Sequence, residues 1–134
     1  MSASPPTSVF TVAIRRNLTA FHHLIGGDWG RENEHHSHDY LIEVALEGAA
    51  LDRHGYVYDI AELEKVLEQL VARYRGSNLN ELEEFRGQNP SVERFAAAIS
   101  TQLVRQIPRG ALSALSVTVW EHSQAWAKHR IEYA

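Results

Sequence analysis

The chain has 134 residues, of which 44% are hydrophobic and 22% charged, the balance of an ordinary globular protein of one domain. Thirteen Lys+Arg against 17 Asp+Glu leave a formal charge of −4; with no Lys/Arg run, this argues against a nucleic-acid or anionic-membrane partner. Cysteine is absent, which excludes disulfides, thiolate metal ligands and any thiol nucleophile supplied by this chain. No apolar stretch reaches the roughly 18 residues of a membrane span, and residues 1–8 carry neither a basic start nor an apolar core, so a cytoplasmic address is expected.

Residues 1–7 read as a polar tail, and residues 8–134 as a single domain without repeat or linker. From Ser8 to Leu24 the pattern alternates: Phe10, Val12, Ile14, Leu18, Ala20, His22 and Leu24 share one parity, and Thr11, Arg15, Asn17 and Thr19 the other. A period of two predicts a long strand with one buried face. Gly26–Glu34 is a glycine-rich polar loop. Alternation resumes with His36, His38, Tyr40, Ile42, Val44 and Leu46 on the apolar side, a second half-buried strand. Asp52–Gly55 carries turn chemistry, and Tyr56–Tyr58 is expected to return as a short strand.

Asp59, with Glu62 three residues on, predicts a capping-box start. Leu63, Val66, Leu67, Leu70 and Tyr74 then predict a helix over 60–74 that Gly76 ends. Residues 76–89 are expected to form a loop. Asn89-Pro90-Ser91 opens a second helix, with Pro90 suited to its first turn; Val92, Phe95, Ala96, Ile99 and Leu103 form its stripe, and Pro108–Gly110 stops it. Leu115, Val117 and Val119 alternate with Ser116, Thr118 and Trp120 in a third long strand, and residues 126–133 form its partner after a turn at 123–125. Strand, strand, helix, helix, strand, strand indicates an α+β domain with an antiparallel sheet.

Five of the eight histidines fall between His22 and His38. His36 and His38, two apart on a strand, leave the same face, and His22 has the apolar parity of its own strand. If the strands pair antiparallel, three imidazoles converge at one end of the core, either as core-edge groups bonded to backbone and water or as a three-ligand Zn²⁺ site with an open position. His23 and His35 have the outward parity. Glu121 continues the inward parity of Leu115, Val117 and Val119. A carboxylate there either pairs with Arg or Lys at the strand end or anchors a ligand, accepting two parallel hydrogen bonds from an amino-pyrimidine as it would from a guanidinium. Asn89–Glu93 reads as a helix start whose hydroxyl and backbone N–H groups also suit a polar heterocycle.

Six segments together resemble the 6-pyruvoyl-tetrahydropterin synthase / 6-carboxytetrahydropterin synthase family over about Val9 to Trp126. Ala20–Leu24 resembles its A-x-H-x-L. His36–Tyr40 resembles H-G-H-x-Y, with Ser37 for the glycine. Gly55–Asp59 matches the segment before the first helix, and Leu79-Asn80 an L-N pair after it. Asn89–Glu93 is similar to N-P-T-x-E, and Val119–Glu121 to the late strand ending in V-x-E-T. The resemblance implies a T-fold subunit, a four-stranded antiparallel sheet with two helices on one side. It also implies a trimeric barrel paired into a homohexamer, with sites between subunits. It places His22, His36 and His38 as zinc ligands, and Glu121 as the anchor of a pterin-like small molecule with Ser91, Val92 and Glu93 alongside. No nucleotide cofactor is expected.

The departures concern proton transfer. The family uses a cysteine in the loop before H-G-H, and this chain has none. Counting back four from His36 puts Glu32 at the place the cysteine takes in the bacterial branch, with Glu34 also near. Some branches use a glutamate in this loop, so Glu32 is the candidate base. The family's D-H-x-x-L-N, counted back from Asn80, leaves Arg75 and Gly76 where the Asp-His pair belongs, and neither shuttles protons near neutral pH. Three readings follow. One is a pterin-binding homologue that does not run the usual family reaction and either binds a pterin-like ligand or acts on a related substrate by another route. The second is an active carbon–oxygen lyase of the synthase type with Glu32 replacing the cysteine. The third is a non-enzymatic oligomer with a vestigial pocket.

Overall fold

The computed structural model describes residues 4–134; residues 1–3 of the expected tail lie outside the described residues, and residues 4–7 are exposed and in neither strand nor helix. Strands β1 (Phe10–His22), β2 (His36–Gly48), β3 (Ala114–His122) and β4 (Ala125–Glu132) form one antiparallel sheet in the order β1-β2-β3-β4. Helices α1 (Ile60–Tyr74) and α2 (Val92–Gln106) lie between the two hairpins in sequence. The predicted core-facing residues Ile14, Leu18, Ala20, Tyr40, Ile42, Val44, Leu46, Leu115, Val117 and Val119 are buried with Leu63, Leu67, Leu70, Phe95, Ile99 and Leu103 of the helices, and in β3 Ser116 and Thr118, of the opposite parity, are buried too. Phe10 has the core parity but is 48% exposed, because it pairs with Gly48 at the far end of the hairpin.

Asp59 caps α1 by accepting from the Ala61 N–H at 2.9 Å. Glu62 pairs with Lys65 rather than closing the capping box. Gly76 ends α1 in the left-handed region at φ +71° and donates its N–H to the Thr19 carbonyl at 2.7 Å. Glycine at this position, where the resemblance would put a histidine, thus meets a backbone requirement. Ser91 is the N-cap of α2, its hydroxyl accepting from the Arg94 N–H at 3.2 Å. Pro90 therefore precedes the cap instead of lying in the first turn.

Tyr56–Tyr58 does not form a strand. The Asp52 carboxylate accepts from the N–H groups of His54 and Tyr56, and the Asp52 N–H donates to the Tyr56 carbonyl. This turn consumes groups a ladder would need. Residues 76–89 are not featureless: short 3-10 turns occupy Leu79–Glu81 and Glu83–Phe85. The last strand begins at Ala125, one residue earlier than expected.

Phe95 is fully buried and meets three aromatic rings, Tyr40, Tyr74 and Phe85, at centroid distances of 5.1, 5.0 and 6.0 Å. Phe95→Ala is expected to cost about 3–5 kcal/mol by removing the shared neighbour of these rings. Equilibrium denaturation with an unchanged m-value checks this.

No helix among the described residues is long and apolar enough to cross a membrane.

Candidate metal centre and binding cleft

The β1–β2 register makes His22 the direct cross-strand partner of His36 and puts His38 opposite Ala20. Strand pleat therefore turns all three imidazoles to the core side at the end of the hairpin. Ring centroids are 4.5 Å apart for His22–His36 and 4.8 Å apart for both His22–His38 and His36–His38. The convergence expected from parity is present. His23 is half-buried, and His35 is exposed but stacks on Phe21 at 4.9 Å; neither joins the centre.

The loop before β2 supplies a fourth donor. A 3-10 turn over Gly30–Asn33 carries Glu32, and the Leu24 N–H holds its carbonyl at 2.8 Å. The Glu32 carboxylate lies 3.0 Å from His36 Nε2. Glu34 takes a different role: its backbone carbonyl accepts from His36 Nδ1 at 2.7 Å. One ligand atom from each of His22, Glu32, His36 and His38 lies within 4.8 Å of the others.

These residues fit a divalent transition metal. His22 is 3% exposed, and its Nε2 is buried with no hydrogen-bond partner among the described residues. Its Nδ1 lies 3.3 Å from the Pro90 carbonyl, an acceptor that leaves Nε2 as the free lone pair. Burial pushes the His22 pKa down to about 4, which keeps the ring neutral and able to ligate. His36 Nε2 and His38 Nε2 face one another at 3.0 Å, a contact that needs a proton or a cation between two lone pairs. Three neutral imidazoles suit zinc with one position left open, and the Glu32 carboxylate is a hard oxygen donor at the edge of that set.

Glu121 sits in a register shift between Trp120 and His122 of β3, a bulge that re-aims its side chain. Its carboxylate lies 3.1 Å from His38 Nε2. Its partner is thus a histidine of the centre, not the Arg or Lys of one of the two readings of this position. Glu121, Glu32, His22, Leu24, Ser91, Val92 and Glu93 line one open cleft of about 270 Å³. The cleft thus joins Ser91, Val92, Glu93, Glu32 and Glu121 to His22, while His36 and His38 complete the centre beside it. His122 lines a different hollow, with Arg15, Asp39 and Trp120. Arg75 lies with Asn17, Thr19 and Asp39, away from the cleft of its own chain.

Two features were missed in the sequence. The buried Tyr40 hydroxyl lies 3.3 Å from His22 Nδ1, and burial raises its pKa. The Pro90 carbonyl is the other neighbour of that nitrogen. Tyr40 carried a signal, since it continues the parity of His36 and His38; a backbone carbonyl carries none.

Sheet, helix pair and histidine centre together define a T-fold protein with a His/Glu cluster that can hold a metal. Residues 11–132 match the 6-pyruvoyl tetrahydropterin synthase family, and the chain belongs to it. It is similar to the dihydroneopterin monophosphate aldolase of Pyrococcus furiosus, at 28% identity over 113 residues, 84% of this chain and 90% of that one. Its fold is similar to that of the Caenorhabditis elegans 6-pyruvoyl tetrahydropterin synthase, with a TM-score of 0.82, 23% identity and coverage of 94% and 98% of the two chains. It is also similar to the Plasmodium vivax synthase, with a TM-score of 0.78, 14% identity and coverage of 94% and 99%. Catalytic-residue variants of the latter, in which a glutamate is replaced, share the fold as well.

Proposed function

We propose that this protein cleaves the side chain of a dihydroneopterin-type pterin by an aldolase reaction, with Glu32 as its proton carrier. The observation that carries the reading is the Glu32 carboxylate at the edge of the histidine cluster, 3.0 Å from His36 Nε2 and on the wall of the cleft it shares with Ser91, Glu93 and Glu121. His22, whose Nδ1 faces the Pro90 carbonyl and whose Nε2 would ligate the metal, is not available as a second carrier. The synthase rearrangement moves protons to and from both carbon and oxygen, and Arg75-Gly76 cannot serve such a second relay. A retro-aldol cleavage needs only one carrier.

In that reaction Glu32 takes the proton of the side-chain hydroxyl one carbon beyond the carbon attached to the ring. The bond between these two carbons breaks, and its electron pair passes into the ring C=N. The aldehyde leaves, and the protonated Glu32 returns the same proton to the ring-attached carbon. Atoms and electrons balance without an oxidant or reductant. Zinc held by His22, His36 and His38 would polarise the side-chain oxygens.

Glu121 is the anchor for the amino-pyrimidine edge of the pterin, with Ser91, Val92 and Glu93 along the cleft wall. The named activity of the Pyrococcus relative supports the reaction class. The catalytic glutamate of the Plasmodium vivax synthase supports the use of this residue type in the family, and also favours the second reading, a synthase-type lyase with Glu32 as base. The family's hexamer, a pair of ring-closed trimers, extends to this chain: β1 and β4 each leave one edge unpaired by another named strand, and ring closure would cover both.

The test is incubation of zinc-loaded protein with dihydroneopterin and its phosphates. The expected products are the 6-hydroxymethyl dihydropterin and a two-carbon aldehyde or its phosphate. Release of 6-pyruvoyl-tetrahydropterin from the triphosphate at a family-like rate would replace this reading with the synthase one, and no turnover of any of them would favour the vestigial pocket. Glu121→Gln is expected to weaken pterin binding by about 1–3 kcal/mol, because one bidentate acceptor becomes half acceptor and half donor. Calorimetry with a non-cleavable pterin measures it, and unchanged affinity would remove Glu121 from the site.

A further inference from the structure

We infer that Asn80 and Asn89 are positioning residues that hold the centre together by acting as a substitute strand. The β1–β2 ladder stops at His22–His36, yet the chain must continue in a fixed path to bring Glu32 back onto the histidines. Asn80 pairs with the backbone of His23 in both directions: the His23 N–H donates to Asn80 Oδ1 at 2.9 Å, and Asn80 Nδ2 donates to the His23 carbonyl at 2.9 Å. Asn89 does the same for Ile25, accepting from its N–H at 2.7 Å and donating to its carbonyl at 3.1 Å. The two amides thus occupy alternate positions, as the hydrogen-bonded residues of a neighbouring strand would.

Between them, the Leu24 N–H donates to the Glu32 carbonyl at 2.8 Å, and Asn33 Nδ2 donates to the Leu24 carbonyl at 3.0 Å. All six backbone polar groups of residues 23–25 are therefore matched. Fixing residues 23–25 fixes Glu32 through Leu24. Both clamps are themselves anchored. Asn80 lies in a 3-10 turn beside the buried Leu79, its N–H donating to Asn78 Oδ1. Asn89 precedes Pro90, whose carbonyl neighbours His22 Nδ1, and its own carbonyl accepts from Arg94. One device thereby sets both the ligand orientation of His22 and the place of Glu32. Neither asparagine lines the cleft, so both act through other groups.

The inference rests on the reading of Glu32 as the proton carrier, and its test separates the two. In N80D and N89D the acceptor oxygen stays, but a carboxylate oxygen replaces the donor and faces a backbone carbonyl. Expected in each are faster amide exchange over residues 23–34 with unchanged exchange in β2 and β3, and zinc affinity lower by about 10–100-fold. Aldolase kcat should fall by a similar factor with KM within about twofold. If either variant fails to fold, N80Q and N89Q, neutral but one methylene too long to close the ring, report the same quantities. Wild-type exchange over 23–34 together with wild-type zinc affinity would overturn the clamp. Absence of aldolase turnover in the wild type would sink the proposed function alone, because exchange and zinc affinity still decide the clamp.

Discussion

Glu32→Gln is expected to lower the rate of pterin side-chain cleavage by about 10²–10⁴-fold, the usual cost of a missing general base. The substitution keeps size and one acceptor oxygen but removes the ability to take a proton. Its local frame should survive, because the loop is held by the Glu32 backbone carbonyl on Leu24 and by Asn33, not by the carboxylate. Zinc stoichiometry should also survive, since three imidazoles remain. The effect should fall on kcat and kcat/KM together, as for a group acting only as the reaction proceeds. Single-turnover measurements on zinc-loaded protein check it. A rate within about tenfold of wild type would place the proton carrier elsewhere.

His38→Ala is expected to weaken zinc uptake by at least about 100-fold, more than the loss of an outer-shell partner typically costs. His38 is one of three imidazoles whose nitrogens converge, and it joins the centre to Glu121 at 3.1 Å. Its removal leaves His22, His36 and Glu32, and leaves Glu121 without that partner. Competition against a chelating dye measures the change. Uptake equal to wild type would mean that His38 is only a core-edge histidine bridging to a carboxylate.

Glu32 and His38 differ in how far the sequence alone exposed them. The histidines were legible because a strand alternates faces: His22, His36 and His38 share the parity of Leu18, Tyr40 and Ile42, and antiparallel pairing had only to bring the two strands together. Glu32 lies in a loop, where no periodicity assigns a direction. Counting from His36 favoured Glu32, with Glu34 also near. The 3-10 turn over Gly30–Asn33 decides between them, sending the Glu32 side chain to the cluster and only the Glu34 carbonyl.

Glu121 is an intermediate case. Parity along β3 pointed it inward, but the bulge between Trp120 and His122 and the pairing with His38 appear only once β3 lies beside β2 and β4. Tyr56–Tyr58 shows the opposite failure. Its β-prone residues suggested a strand, and a local Asp52 turn consumed the backbone groups first.

The sequence by itself determined the element order, the buried face of each long strand, both helices and the apolar positions that join them. These follow from side-chain periodicity, which is local and repeats along the chain. It also determined which residue types are present for chemistry and that cysteine is not among them. Only the tertiary structure decided that Ser91, Val92, Glu93, Glu32 and Glu121 share one cleft with His22, that Pro90 faces His22 Nδ1, and that Asn80 and Asn89 complete the backbone of residues 23–25. Each of these contacts joins segments far apart in the chain or ends on a backbone atom. Their partners are chosen by how the hairpins and helices pack, and no repeat in the sequence encodes that choice.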